Sequence, residues 1–175
     1  YLMKTSRHYL WRAAKAVLIA FTAIAQTQVI FDDFNDGNDD GWEQFSPLDM
    51  VGASSVFSFP DVGDGNKGYR LFSQSPPVPD AGPGRTFTYR TAVYSDFYAA
   101  VDVLDWVNEV DQAFGLILRV DNIGLGQTTG YVLNYDPQQA SGNRAQIHFN
   151  SVTGEAAVDT IGAADITLET GHDYR

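Results

Sequence analysis

Along residues 96–105 the side chains alternate. Phe97, Ala99, Val101 and Val103 fall on one face, and Tyr98, Ala100, Asp102 and Leu104 on the other. Residues 112–120 repeat the scheme, with Phe114, Leu116, Leu118 and Val120 opposite Ala113, Gly115, Ile117 and Arg119. A step of two is the period of an extended strand, and no segment after residue 25 sustains the 3.6-residue period of an amphipathic helix. The second faces are mixed rather than polar, which predicts strands covered in part on both sides, as in a sandwich.

Further strand-like runs occupy residues 29–34, 51–59, 68–73, 85–94, 129–135, 145–150 and 166–168. Between them lie clusters of Gly, Pro, Asp and Asn, such as 61–66 and 136–143, which punctuate an all-β chain. Residues 75–84 hold four prolines and two glycines. Strands resume at once on either side and neither half could close a sandwich alone, so this segment reads as a long ordered loop rather than an interdomain linker. There is no internal repeat.

The first residues are of another kind. A basic stretch (Lys4, Arg7, Arg12, Lys15) runs into the apolar segment 16–25, which ends in the small-x-small pattern Ala23-Ile-Ala25. That is the layout of a helical export signal, with cleavage expected after Ala25. An apolar run of ten residues is half of the roughly 20 a membrane-spanning helix needs, which argues against an anchor. Tyr1 and Leu2 precede Met3, the expected start. Residues 26–175 then form one domain large enough for a real core.

All 22 acidic residues lie in that domain, against seven basic ones. A surplus of that size repels nucleic acid and anionic membrane surfaces, and suits cations or neutral ligands. The chain has no cysteine, so an exported protein of this sequence is held by its core, with an ion as the other available staple. The closing residues Gly171-His-Asp-Tyr-Arg175 read as the opening of a further strand, which makes a domain truncated at this end the expectation.

Four segments together resemble a family: Phe31-Asp-Asp-Phe-Asn-Asp-Gly with Gly41-Trp42; Phe97-x-x-x-Val-Asp-Val; Gln112-Ala-Phe-Gly-Leu-Ile-Leu-Arg-Val-Asp-Asn122; and Gly130-Tyr-Val-Leu-Asn-Tyr-Asp136. They are similar to exported bacterial domains of the laminin-G-like, concanavalin-A-like superfamily. The resemblance covers about residues 29–175 and implies an antiparallel two-sheet jelly roll. That fold hosts lectin-like binders, adhesion modules, hydrolases and lyases, so it leaves the activity open.

The densest local feature is Asp32-Asp-Phe-Asn-Asp-Gly-Asn-Asp-Asp-Gly41, with five aspartates and two asparagines in ten residues. Asp36-x-Asn38-x-Asp40-Gly41 matches the opening of a calcium loop, with oxygen ligands at alternate positions and a glycine at the turn. Position twelve would be Pro47 and no helix flanks it, so an EF-hand is excluded. A looser structural calcium on Asp33, Asp36, Asn38 and Asp40 is one expectation, which the family resemblance also implies. A solvated Asp/Asn/Gly turn is the other. The turn Asp61-x-x-Asp64-x-Asn66 has the same chemistry in weaker form.

Catalysis finds little support. Glucanases of the resembled superfamily carry Glu-x-Asp-x-x-Glu on one strand. Here Glu109-Val-Asp111-Gln-Ala-Phe114 puts phenylalanine where the acid/base would stand, so no catalytic residue is assigned. The domain holds only His148 and His172 and no Gly-x-Ser-x-Gly elbow, which leaves nucleophilic and zinc chemistry without components. His148 alternates with Ile147 and Phe149 and is expected to face solvent or pair across a sheet. A carbohydrate site needs aromatic faces for sugar C–H surfaces beside polar groups for the hydroxyls. Trp106, Tyr131 and Tyr135, with Arg119 and Asn134, are the candidates, whereas Trp42 reads as core. An exported binding module for a glycan or a cell-surface partner is the reading. A glycan hydrolase or lyase and an envelope structural module are the alternatives.

Overall fold

A computed structural model describes residues 29–78, 82–140, 144–155 and 157–171. The expected export signal and the closing residues 172–175 lie outside the described residues. The chain divides into two compact units, Tyr1–Asp32 and Asp33–Arg175. Residues 29–32, the described end of the first, form no strand. Everything below concerns the second.

Among its described residues the second unit has only β-strands, turns and irregular segments apart from one 3-10 turn at Asp49–Val51, closed by Gly52 at φ 79°. Its strands are β1 (Glu43–Phe45), β2 (Val56–Ser58), β3 (Asp61–Gly63), β4 (Asn66–Lys67), β5 (Arg70–Phe72), β6 (Phe87–Tyr89), β7 (Phe114–Asp121), β8 (Thr129–Ala140), β9 (Arg144–Thr153) and β10 (Ala157–Asp165). Every pairing is antiparallel. The four long strands form a meander in the order β10-β9-β8-β7, and the short ones pair as ribbons β1-β6, β2-β5 and β3-β4.

Several expectations are corrected. Residues 96–104 form no strand, although their alternation is the cleanest in the chain. Alternation sorts side chains by face, but a strand also needs a neighbouring ladder, and these residues have none. Residues 29–34 and 166–168 are likewise irregular. The turn cluster 61–66 is itself the β3–β4 hairpin, with Asp64 and Gly65 at φ 52° and 77°, the pair of left-handed residues that a tight primed turn requires.

β8 runs past its expected end at Tyr135, through Pro137. Proline has no N–H to give a ladder, but it falls where the β8–β9 register breaks, between Asp136 and Ala140, so no ladder bond is lost. β10 was not legible at all. Its residues are mostly small or polar, and pairing with β9 rather than intrinsic preference makes it a strand.

The meander has two chemically distinct faces, fixed by register. Phe114, Leu116 and Leu118 of β7 stand opposite Tyr135, Leu133 and Tyr131 of β8, which stand opposite Ile147, Phe149 and Ser151 of β9. This apolar face carries the buried Tyr135 and Ala145. The reverse face carries Asn134, Asp136, His148 and Asn150, the last three buried. Away from the meander, Leu48 and Ala53 are buried beside the 3-10 turn.

Candidate functional site

The proposed aromatic set divides between the two ends of the apolar face. At one end Tyr135 is 4 % exposed and packs edge-on against Phe114 at 5.5 Å, with Trp106 5.6 Å from Phe114 and 6.3 Å from Tyr135. Their polar tips converge on Asn108. Its Oδ1 accepts from Trp106 Nε1 at 3.0 Å and from Tyr135 Oη at 2.9 Å, while its Nδ2 donates to the Leu168 carbonyl at 2.9 Å. Tyr135 Oη also accepts from the Leu168 amide. These rings and their hydrogen-bonding groups are committed within the protein, the usual arrangement of a buried Tyr or Trp.

At the other end the rings are open. Tyr131 and Phe149 are 42 % and 40 % exposed, and they stack on each other at 5.9 Å with planes 22° apart. They sit diagonally on β8 and β9, the relation at which long side chains meet across an antiparallel ladder. Together with Leu118 and Arg119 of β7 and Ser95, Asp96 and Phe97 of the irregular segment, they line an open cleft of about 720 Å³. Thus Arg119 and Tyr131 are brought together, while Trp106 and Tyr135 are placed apart from them. Asn134 is on the reverse face, where its Oδ1 accepts from Asn150 Nδ2 at 3.2 Å.

Arg119 owes its position to a bulge. The β7–β8 register shifts between Leu118 and Asp121, and Arg119 sits there at φ 51°. A left-handed conformation is unfavourable for a residue with a Cβ. Such a bulge re-aims one side chain out of the strict alternation that residues 112–120 suggest. Phe149, Phe97, Asp96 and Ser95 were not singled out from sequence. Alternation made Phe149 an ordinary strand residue, and only the β8–β9 register puts it against Tyr131.

In the acidic loop, side-chain oxygens accept from neighbouring backbone amides. Asp33 Oδ1 accepts the Asn35 amide at 3.1 Å, Asp36 Oδ1 the Asn38 amide at 3.2 Å, and Asn38 Oδ1 the Asp40 amide at 2.8 Å. These are successive turns in which a side-chain oxygen caps the backbone two residues on. Asp39, outside the expected donor set, is the residue that reaches into the fold. Its Oδ2 accepts from Tyr69 Oη at 2.5 Å and Gln44 Nε2 at 2.7 Å. Those two hydrogen bonds, Tyr69's first, hold the Asp39 carboxyl below the usual range. Among the described residues no group of three or more His, Cys, Asp or Glu side chains is placed to hold a metal ion.

His148 is 8 % exposed, not solvent-facing, and lies opposite Asn134 and Ala163. Trp42 is half-buried, 5.9 Å from Phe34, with the Arg90 guanidinium 5.3 Å above its ring. Glu109 and Asp111 are both exposed in the turn before β7, and neither lines the cleft. A smaller hollow of about 400 Å³ beside Asn108 and Ala145 is bordered by Arg144 and Asp165, which form an ion pair. No helix among the described residues is long and apolar enough to cross a membrane.

No protein-family model, curated protein or solved structure matches this chain. The laminin-G-like, concanavalin-A-like resemblance therefore stands on the sequence segments alone.

Proposed function

We propose that the chain is an exported, non-catalytic binding module of jelly-roll type, and that the cleft at Tyr131 and Phe149 takes a carbohydrate. The observation that carries this reading is the stacked, exposed ring pair in an open hollow beside two charged side chains, Arg119 and Asp96. Ring faces match the C–H surface of a sugar, and the flanking charges match its hydroxyls. Large aromatics left open in this way favour a binding surface over core packing.

Hydrolysis is the weaker alternative. A glycosidase needs two carboxyl groups across the scissile bond, and among the described residues Asp96 is the one carboxylate lining the cleft. The test is binding of a panel of oligosaccharides to the full chain and to Tyr131→Ala. Binding by the parent, lost in a folded variant, supports the reading, and a folded parent that binds none counts against it.

A structural role in an envelope assembly is favoured by a separate observation. β10 is an outer strand of the meander and all nine of its residues are exposed. An unprotected edge of that length can accept another strand. Concentration-dependent association abolished by Ile161→Lys would favour this role.

A further inference from the structure

Arg119 is the odd cation among the described residues. Six Lys and Arg residues are described. Lys67 pairs with Asp61 at 3.7 Å, Arg85 with Glu155, and Arg144 with Asp165. Arg70 lies 5.6 Å over the Phe72 ring and Arg90 5.3 Å over Trp42. Arg119 alone has no ion pair, hydrogen bond or ring contact among the described residues. In a chain with 22 carboxylates an unmatched guanidinium is unexpected, since nearby acids would ordinarily draw it in.

Its surroundings sharpen the point. Arg119 is exposed at φ 51° in the β7 bulge, on the wall of the Tyr131–Phe149 cleft. Asp96 lines the same cleft, yet the two opposite charges are not in contact. The cleft lies between an uncommitted fork of donors and an uncommitted acceptor. A planar guanidinium matches a carboxylate through two parallel N–H···O bonds. Asp96 accepts hydroxyl protons and disfavours a second negative charge close by.

We infer that the ligand of this cleft is an acidic saccharide of the uronate class, one carboxylate beside neutral hydroxyls, with Arg119 holding the carboxylate and Tyr131 and Phe149 the sugar face. This rests on the carbohydrate reading of the same cleft. It excludes densely sulfated or phosphorylated chains, because Asp96 and the acidic surplus of the protein oppose clustered negative charge.

The test is calorimetric titration of the full chain with a uronic-acid trisaccharide and with its neutral hexose counterpart of the same linkage. The uronate should bind about tenfold more tightly, the usual scale for one charge-assisted contact. Arg119→Gln should abolish that preference, Arg119→Lys should keep part of it, and Asp96→Asn should widen it. The last variant serves should the bulge not tolerate glutamine. Equal affinity of the parent for the two sugars, or a preference that survives Arg119→Gln, overturns the inference while leaving carbohydrate binding standing. A folded parent that binds neither overturns both.

Discussion

Tyr69 Oη donates to Asp39 Oδ2 at 2.5 Å, and this bond ties the acidic loop to the segment between β4 and β5. The Tyr69 ring is stacked on Phe59 at 4.9 Å and tilted against Phe34 at 4.7 Å, so ring packing also holds the donor in place. A hydroxyl-to-carboxylate bond of that length belongs to the stronger class of protein hydrogen bonds. Tyr69→Phe keeps the ring and removes the donor. It should cost about 1.5–3 kcal/mol in urea denaturation, and an unchanged midpoint would show that the loop is held by other contacts.

The same pair sets the pH limits of this region. Hydrogen bonds from Tyr69 and then Gln44 depress the Asp39 carboxyl below 3.8, so its contribution is complete above that value and is lost as pH falls through the folded pKa. Burial, then the bond to Asp39, pushes the Tyr69 phenol from 10.0 to about 12. Its contribution is complete below pH 10 and is lost as pH rises toward 12. Phenolate absorbance should therefore show one tyrosine titrating well above free tyrosine, returned toward it by Asp39→Asn. A tyrosine population titrating together near 10 would contradict this.

Chelation is expected to do nothing. With Asp33, Asp36 and Asn38 capping their own loop amides, an ion is not required to order it. Thermal melting with and without a calcium chelator should give one midpoint. A fall on chelation would mean that the loop binds calcium, since an ion bound to the folded state must stabilise it.

Glu155 joins three parts of the unit. Its carboxylate accepts from Arg85 Nε and from the Gly126 amide, while its backbone sits at φ 65° in the β9–β10 turn. Glu155→Ala and Glu155→Gly both remove the carboxylate, but only alanine keeps the left-handed penalty. Both should destabilise, and the glycine variant should be about 1 kcal/mol more stable than the alanine one. Equal losses would mean that the turn relaxes once the carboxylate is gone.

The all-β class and the strands β7 and β9 were legible because their apolar residues alternate in long unbroken runs. β10 was not, since Gly162, Ala163 and Ala164 carry no strand signal and the strand exists through its partner. The cleanest alternation, residues 96–104, belongs to no ladder, because a sequence shows face preference and not the presence of a neighbour. At the site, the residue types were legible but not their grouping. Trp106 and Tyr135 satisfy each other through Asn108, and Tyr131 finds Phe149 through register. Asp39 was hidden among equivalent aspartates, and only Tyr69, 30 residues on, distinguishes it.

The central claim is that the Tyr131–Phe149 pair is a sugar-binding surface. Its most direct test is the affinity of Tyr131→Ala for an oligosaccharide bound by the parent chain, with folding checked by thermal melting. The account predicts a loss of about tenfold or more with an unshifted midpoint, as for a central aromatic contact. Undiminished affinity in the folded variant would contradict it.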